Sequence, residues 1–360
     1  MSTIENILIL TINPGSTSTK FAVFENHKPL FVKTIRHSAE ELEQFDKITD
    51  QFEFRKELIM KALKETDVDL DKIRVVVGRG GLLRPIESGI YEVNDKMIND
   101  LYTSPFGEHA SNLGGLIAEN IAKLLPNARA FIADPVVVDE LQDLARFSGH
   151  PKFPRISIFH ALNQKAIARQ HAKNIQRNYE DLNLIVVHLG GGISVAAHQK
   201  GLVIDVNNAL NGDGPFSPER SGGLPTAALV NACFSGEFSK KEITKMLVGE
   251  GGLVAYLGTN STIETKEKIS NGDKFAELVY DAMGYQIAKE IGAMAAVLSF
   301  DVDYILFTGG IAYDSTFVNK ISTRVEKIAP VAVYPGEDEL QALAMNGLMV
   351  LMGEIDPKAY

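Results

Sequence analysis

The sequence predicts a mixed α/β protein with two domains of similar topology that face each other across a cleft. Apolar runs of strand length alternate with helical patterns along the chain, which is typical of mixed α/β folds. A meander of three short strands opens the chain, and a second meander begins near residue 184. The length of 360 residues fits two domains that each bury a core of their own.

The first meander begins with the apolar, β-branched run Ile7–Ile12, which ends at a turn that starts with Asn13. Phe21–Phe24 and Leu30–Ile35 continue the strand pattern after polar turns. Helical periodicity does not follow the first turn. A dinucleotide-binding opening is therefore excluded, because its Gly-rich turn must lead directly into a helix.

The second meander repeats the strand lengths and turn positions of the first. Leu184–Leu189 is followed by the turn Gly190–Gly192, and Ile193–Ala197 and Leu202–Val206 complete it. This match predicts an internal duplication, with two unrelated meanders as the alternative.

The other segments alternate between helix and strand patterns. We expect residues 1–150, with a C-terminal helix of about residues 340–360 packed back on them, to form the first domain and residues 151–339 the second. The predicted strands are Arg74–Val77, Arg129–Ala133 and Tyr304–Phe307, and the predicted helices are Glu40–Lys64, Glu108–Leu125, Ala161–Ile175, Lys274–Phe300, Thr316–Ile328 and Glu339–Met352.

Composition limits the class of partner. The chain carries 36 Lys and Arg against 46 Asp and Glu, a net charge of −10, so neither nucleic acid nor an anionic membrane surface is an expected partner. A signal peptide is not visible in Met1–Leu10, and apolar stretches such as Ala293–Phe300 are too short to span a bilayer. The single cysteine, Cys233, fits a reducing compartment and is expected to be a small core residue. We therefore expect a soluble, cytoplasmic protein.

Three polar or Gly-rich turns follow apolar strands, at Asn13–Lys20, Gly190–Gly192 and Thr308–Gly310. Glycine lets the backbone approach a phosphate and point its N–H groups at the anion. One such turn alone is best interpreted as a plain tight turn, but three of them in two matched halves predict a nucleotide site. A P-loop sequence does not occur, so P-loop enzymes are excluded.

These motifs resemble those of a known family. Asn13–Lys20, His188–Gly192 and Arg220–Gly222 are similar to the signatures of the acetate and butyrate kinases. Val77–Leu83, His109–Gly114 and Asp213–Gly222 resemble more closely the branch of butyrate and branched-chain carboxylic acid kinases. The resemblance extends from Ile7 to about Leu351.

The resemblance implies two duplicated ribonuclease-H-like domains, the actin-like ATPase fold, with an interdomain cleft. It implies reversible transfer of the γ-phosphoryl group of ATP to a short-chain fatty acid such as butyrate or isobutyrate, which gives an acyl phosphate and ADP, with Mg²⁺ as the metal. A homodimer or higher homo-oligomer is expected. The alternatives are an acetate or propionate kinase, a sugar kinase on the same fold, and a non-catalytic actin-like ATPase.

Four residues are candidates for the chemistry. A carboxylate acceptor is already ionised at neutral pH, so it needs cations and alignment and not a general base. The resemblance implies that Arg79 and Arg220 hold the acyl carboxylate and the phosphoryl group, and that His160 donates a hydrogen bond to the transition state. It places Asp134 near the phosphoryl group, where the carboxylate orients an arginine or contacts magnesium. A cap on a helix near residues 137–145 is the alternative role for Asp134.

The resemblance also implies binding residues for nucleotide and metal. Asn13 and one acid of residues 337–339 are the metal candidates, and alignment on Pro335 and Leu340 favours Asp338 or Glu339. The predicted nucleotide-binding residues are Ser16, Ser18, Lys20, His188, Gly190, Gly191, Gly192, Gly309, Gly310 and Ile311.

Two further positions give weaker evidence of function. His109 begins a predicted helix, and a function for it depends on the resemblance alone. Ser261 stands where this branch often has an aspartate, which puts an acidic contact from that loop in doubt.

Overall fold

Two β-sheets organise the chain, one in each of two compact units. The structure, a computed structural model, describes residues 7–210 and 212–360. The first unit comprises the chain up to Val138 together with Asp338–Tyr360, and the second comprises Asp139–Glu337. Among the described residues, no helix combines the length and the apolar character needed to cross a bilayer.

The sheet of the first unit has six strands in the order β3-β2-β1-β4-β6-β5. The first three strands form an antiparallel meander, two later strands run parallel to the first, and a short antiparallel strand lies at the edge. The strands are β1 (Leu8–Pro14), β2 (Ser18–Glu25), β3 (Lys28–Arg36), β4 (Ile73–Arg79), β5 (Ile90–Glu92) and β6 (Arg129–Ala133).

The sheet of the second unit has five strands in the order β11-β10-β7-β8-β9. It too is an antiparallel meander whose first strand is followed outward by two parallel strands. The shared strand order confirms the predicted mixed α/β fold with a repeated topology. The strands are β7 (Asn183–Leu189), β8 (Ile193–Gln199), β9 (Leu202–Val206), β10 (Tyr304–Gly309) and β11 (Val331–Pro335).

Helices cover both faces of the first sheet, which is why its central strands are apolar throughout. Gly347 brings one helix against Ile9, Val75 and Val77 on one face, whereas Val76 belongs to the core on the other face. The helices of this unit are α1 (Ala39–Glu43), α2 (Phe52–Lys64), α3 (Asp95–Thr103), α4 (Asn112–Ala122) and α12 (Glu339–Leu351).

The second sheet is covered in the same way. Ile185 and Val187 of β7 face a core built with a 24-residue helix, and Leu184 and Val186 face a smaller cluster that contains Ala168. The helices of this unit are α5 (Ala161–Asn174), α6 (Thr226–Phe234), α7 (Lys240–Leu247), α8 (Gly252–Leu257), α9 (Thr262–Ser270), α10 (Lys274–Val297) and α11 (Ser315–Val325).

The structure corrects two predicted helices. The single helix expected over Glu40–Lys64 is wrong, because α1 ends at Glu43 and a 3-10 turn precedes α2. Lys47 between the two helices is extended, and the N–H of Ile48 donates to Glu108 Oε1 (2.6 Å) and not to a carbonyl of a preceding helical turn. The helix expected near residues 137–145 is also absent, and only a 3-10 turn at Asp143–Arg146 forms.

The division between the units falls at Asp139 and not near residue 150. Glu140 explains the difference, because its carboxylate accepts hydrogen bonds from Lys165 Nζ (2.7 Å) and Val203 N (2.8 Å) of the second unit. Lys165 is almost completely buried, so this ion pair anchors the segment around Glu140 to the second unit.

The prediction that Cys233 is a core residue is wrong. Cys233 is exposed, and none of the residues of α6 is buried. Phe234 at the end of this helix is 86% exposed. The apolar composition of α6 suggested a core helix, but burial depends on what packs against a helix and not on its composition alone.

Backbone atoms of β4 and α4 touch at two glycines. A Cβ on Gly78 would overlap the carbonyl of Gly114, and a Cβ on Gly114 would overlap the carbonyl oxygen of Arg79. This contact lets α4 lie directly against the strand that ends with Arg79, so it contributes to the position of that side chain.

We expect Gly114→Ala to lower the free energy of unfolding by about 1–3 kcal/mol, because the added methyl separates α4 from β4. Gly292→Ala is the matched control, since this glycine also lies inside a helix but a Cβ there meets nothing within 4 Å. The control should be neutral or more stable by up to about 1 kcal/mol. Chemical denaturation measures both, and equal effects would contradict the proposed backbone contact.

Candidate active site

In the first unit, three predicted site residues form one cluster. Glu339 Oε2 accepts hydrogen bonds from Asn13 Nδ2 and from Arg79 Nη1 (3.2 Å). Arg79 Nη1 also lies 3.3 Å from Asn13 Oδ1. Asn13 is on β1, Arg79 ends the adjacent parallel strand β4, and Glu339 begins α12, so three separate elements bring them together.

The turn after β1 lies beside this cluster. Gly15 N donates to Ser18 O (2.7 Å), Ser16 is exposed, and Ser18 is half-buried. Lys20 is exposed and pairs with Asn13 across the sheet, so both side chains leave the same face of the sheet. The turn therefore presents hydroxyl groups and an ammonium group next to Arg79.

A buried arginine that the sequence analysis missed holds this turn. Arg55 of α2 is only 1% exposed. Its Nη1 donates to Gly15 O (2.7 Å), Ser18 O (3.2 Å) and Thr19 Oγ1 (3.1 Å), and its Nη2 donates to Ser16 O (3.1 Å). A charged residue on the apolar stripe of a predicted helix is the signal that could have identified it.

The charge of Arg55 is held by neutral acceptors. Gln51 Oε1 accepts from its Nη2 (2.7 Å) and Nε (3.1 Å), and the backbone oxygens of the turn accept the rest. Burial lowers the pKa of Arg55 to about 10. Burial, followed by the nearby Arg55 cation, lowers the pKa of His37 to about 4, so His37 is neutral where it contacts Thr19 Oγ1 (2.9 Å).

Asp134 follows Ala133, the β6 residue that pairs with Arg79, and so lies at the same sheet edge. Its Oδ1 accepts from Ser88 Oγ (2.7 Å) and Gly89 N (2.8 Å). The predicted alternative of a helix cap is wrong, because the helix near residues 137–145 does not form. The φ of 37° at Asp134 is uncommon for a residue with a side chain, and these hydrogen bonds compensate for the strain.

The three acids at residues 337–339 have three different partners. Glu339 joins Asn13 and Arg79, as described above. Asp338 caps α12 by accepting from Gln341 N (2.9 Å), and Glu337 Oε1 lies 3.1 Å from His188 Nε2. Of the two acids that the sequence favoured for the metal, only Glu339 lies in the Asn13 cluster.

In the second unit, Arg220 packs on the Gly190–Gly192 turn. A Cβ on Gly192 would overlap the Arg220 guanidinium, so glycine is required there. Arg220 Nη1 donates to Ala209 O, and Ser217 Oγ donates to Gly191 O (2.6 Å). The tertiary structure thus joins two motifs that are almost thirty residues apart in the sequence.

The Arg220 guanidinium has a donor that is free within the described part of the chain and that an anion could use. Its Nε is buried and has no hydrogen-bond partner among the residues that the structure describes. Burial lowers the pKa of Arg220, since no carboxylate fully compensates its charge. A buried donor without an acceptor is costly, and an anionic ligand would remove that cost.

Two histidines stack in this unit. The rings of His160 and His188 are 3.8 Å apart and inclined by only 9°. His188 Nδ1 lies 2.7 Å from Asn163 Oδ1, and its Nε2 lies 3.1 Å from Glu337 Oε1. His160 immediately precedes α5, and its Nδ1 lies 2.9 Å from Ser194 Oγ on β8.

The third predicted turn follows β10 and is hydrogen-bonded to the residue that follows β11. Gly309 N donates to Gly336 O (3.1 Å), and the φ of 91° at Gly309 favours glycine. Gly310 is exposed, whereas the side chain of Ile311 belongs to the core. Only the backbone of Ile311 is therefore available to a nucleotide at this turn.

The two residues that the sequence left least certain have local partners. His109 Nδ1 contacts Ser111 Oγ (2.8 Å) just before α4. Ser261 Oγ accepts from Glu264 N (3.2 Å) and caps α9, so a serine at this position supports the helix that follows.

We expect Arg55→Met to lower the free energy of unfolding by at least about 3 kcal/mol, because the carbonyl oxygens of Gly15 and Ser16 and the buried Thr19 hydroxyl lose the Arg55 donor, and Gln51 loses its partner. Arg36→Met is the control, since Arg36 is exposed on β3 and its loss should cost less than about 0.5 kcal/mol. Denaturation monitored by circular dichroism measures both. A cost below about 1 kcal/mol for Arg55→Met would refute the role of Arg55 in holding the turn.

Comparison of the sequence with known proteins identifies a family. Residues 155–347 match the Acetokinase family. The chain is 56% identical over 352 residues to Butyrate kinase 2 of Clostridium acetobutylicum, and the match covers 98% of this chain and 99% of that protein.

Solved structures share the fold. The crystal structure of Porphyromonas gingivalis acetate kinase superposes with a TM-score of 0.77 at 19% identity and covers 96% of this chain and 100% of its own. A propionate kinase from Francisella tularensis gives a TM-score of 0.73 at 20% identity, covering 94% and 98%. The duplicated actin-like ATPase fold expected from the motifs is therefore confirmed, and the chain belongs to the acetokinase family.

Proposed function

We propose that this protein transfers the γ-phosphoryl group of ATP to the carboxylate of a short-chain fatty acid, with butyrate or isobutyrate preferred, and catalyses the reverse reaction. Membership of the acetokinase family and the 56% identity to a protein named Butyrate kinase 2 support this proposal. The observation that carries it is the buried Arg220 guanidinium on the Gly190–Gly192 turn, whose Nε lacks a partner among the described residues.

Phosphoryl transfer to a carboxylate depends on arginines more than on a general base. Both the carboxylate and the phosphate are anions, so the reaction needs cations that hold them in line. A guanidinium binds either anion through two parallel hydrogen bonds. We assign Arg220 to the transferred phosphoryl group and Arg79 to the acyl carboxylate.

A sugar kinase on the same fold would need a carboxylate base to activate a neutral hydroxyl group. Asp134 is the predicted catalytic acid at the edge of the first sheet, but its Oδ1 already accepts from Ser88 and Gly89. We propose that Asp134 orders the sheet edge beside Arg79. This favours carboxylate over sugar as the acceptor.

His160 supplies a hydrogen bond to the phosphoryl oxygens as negative charge moves during transfer. His188 lies beside the nucleotide phosphates and stacks on His160. Both rings are held by side chains of their own unit, through Ser194 for His160 and Asn163 for His188. The two imidazoles therefore keep their positions before any ligand binds.

We assign the nucleotide phosphates to Gly190, Gly191 and Gly192 of the second unit. Ser16, Ser18 and Lys20 of the first unit are further candidates for phosphate contact, because they are a serine on an exposed turn, a half-buried serine and an exposed lysine. The adenosine side lies at Gly309, Gly310 and Ile311. A depression of about 420 Å³ adjoins this turn at Asp314, lined also by Lys266, Tyr280 and Phe317.

Asn13 and Glu339 already contact each other, and we assign the magnesium ion to these two side chains, with the Asn13 amide turned so that its oxygen faces the ion. Mg²⁺ takes oxygen ligands and keeps several waters, so one carboxylate and one amide oxygen suffice beside phosphate oxygens. When bound, the ion neutralises phosphate charge, and Asp338 is left to cap α12.

We also infer a homo-oligomer and a cytoplasmic location. The family resemblance supports the first, as do exposed apolar side chains such as Phe234 and Val230 on α6. One cysteine in 360 residues is consistent with the second.

Wild-type protein with Mg-ATP is expected to form acyl phosphate from butyrate and isobutyrate at higher kcat/KM than from acetate, and none from sugars. Hydroxylamine trapping measures the product. Each methylene buried contributes about 0.8 kcal/mol, so preference among the acids should change by a few-fold per carbon. Phosphorylation of a sugar but of no C2–C5 acid would refute the function.

Arg220→Ala should lower kcat by roughly 100-fold or more, because its interaction strengthens in the transition state. The matched control is Arg177→Ala, an arginine of the same unit that forms an exposed pair with Asp303 and should leave kcat unchanged. If Arg220→Ala weakens binding but retains turnover, the role assigned to Arg220 is wrong.

Glu339→Gln should raise the Mg²⁺ concentration needed for half-maximal activity by roughly tenfold or more. Asp338→Asn makes the same chemical change one residue earlier and should leave that concentration within about twofold, because asparagine also caps helices. Titration of activity with MgCl₂ at fixed ATP measures both. A larger effect of Asp338→Asn would transfer the metal contact to Asp338.

A further inference from the structure

A row of buried polar side chains leads from the interior of the second unit to His160. Tyr179 Oη lies 2.7 Å from His198 Nδ1, and His198 Nε2 lies 3.0 Å from Gln164 Oε1. Gln164 Nε2 lies 2.7 Å from Ser194 Oγ, which lies 2.9 Å from His160 Nδ1. The row thus has four links, and the direction of each hydrogen bond can be deduced.

The backbone carbonyl of Ser194 sets the direction. Gln164 Nε2 lies 3.2 Å from Ser194 O as well as near its hydroxyl. A carbonyl oxygen can only accept, so the end of the Gln164 amide that faces Ser194 must be the NH₂ group. The amide oxygen then faces His198, and the amide cannot be turned over without two acceptors meeting.

The interior end of the row agrees with this direction. Gln164 Oε1 requires a proton on His198 Nε2, so Nδ1 of a neutral His198 accepts from the hydroxyl of Tyr179. His198 is completely buried, and burial together with the Lys165 and Arg169 cations lowers its pKa well below the usual value. A neutral ring with one donor and one acceptor is what the row needs at this point.

At the other end, the direction reaches His160. Ser194 is fully buried, and its Oγ already accepts from Gln164 Nε2. The hydroxyl hydrogen needs an acceptor, and within the described part of the chain His160 Nδ1 is the acceptor found at Oγ. A hydroxyl that donates to Nδ1 makes this nitrogen an acceptor and leaves the ring proton of neutral His160 on Nε2.

We propose that Tyr179, His198, Gln164 and Ser194 are positioning residues that hold His160 in the Nε2–H tautomer. His160 then carries a fixed donor on the nitrogen that does not contact Ser194. This inference rests on the proposed function only for the use of that donor, which is a hydrogen bond to the transferred phosphoryl group. The parallel His188 ring, 3.8 Å away, restrains the plane of the His160 ring while the row selects its proton.

The tautomer is measured directly by long-range ¹H–¹⁵N correlation spectra of full-length protein labelled with ¹⁵N-histidine. The His160 signals are assigned by their loss in His160→Gln. We expect the wild-type protein to show a protonated Nε2 and an unprotonated Nδ1 for His160. A proton on Nδ1 would overturn the proposal, whether or not the protein phosphorylates carboxylates.

Two variants test the row itself. Ser194→Ala removes the donor to His160, and Gln164→Met removes the amide that orients Ser194 while keeping its volume similar. Both should increase the Nδ1–H fraction of His160 and lower kcat by roughly tenfold or more, with KM for ATP and butyrate within about twofold. His171→Gln is the control, because His171 lies on the same helix but contacts Tyr334 (2.8 Å) and not the row.

The outcomes separate this inference from the proposed function. Unchanged tautomer spectra in both variants would refute the row, even if kcat fell through a loss of stability. A shifted tautomer with unchanged kcat would keep the row and refute the use of the His160 donor in catalysis. If either variant does not fold, the other variant and the wild-type spectrum still decide the question.

Discussion

Polar groups that are removed from water must find partners, and in both units this constraint positions the candidate functional side chains. In the first unit, the carbonyl oxygens of the turn after β1 point inward and are satisfied by Arg55. In the second unit, a row of hydrogen-bonded side chains from Tyr179 to Ser194 provides the partner of His160 Nδ1. Each acceptor that is satisfied in this way leaves the opposite side of the turn or ring oriented for a ligand.

This pairing is incomplete at Arg220, one of four buried polar side chains with an atom that lacks a partner in the described part of the chain. Arg220 Nε is buried without a partner among the described residues, although the same guanidinium contacts Ala209 and lies on Gly192. An arginine held in a fixed place with an unused donor loses little entropy when it binds an anion. The glycines that allow this arrangement are therefore part of the arginine site as much as of a phosphate-binding turn.

Charge distribution follows the needs of a reaction between two anions. Arg79, Lys20 and Arg220 are placed at strand ends or on turns, and the acids close to them are paired. Glu339 is bound by Asn13 and Arg79, and Asp134 by Ser88 and Gly89. Pairing of these carboxylates limits their repulsion of an incoming anion, so a chain with a net charge of −10 can still provide cationic sites.

The sequence by itself determined the repeated strand pattern, the Gly-rich turns at strand ends and the family motifs, because these depend on local periodicity and on residues close together in the chain. It predicted too long a helix over Glu40–Lys64 and a buried Cys233, because helix interruption and burial depend on distant segments. Only the tertiary structure separated the roles of Asp338 and Glu339, placed Arg220 on Gly192, and revealed Arg55 and Gln164 as supports. Those contacts join residues far apart in sequence, and the direction of a hydrogen bond is decided by all the partners around it.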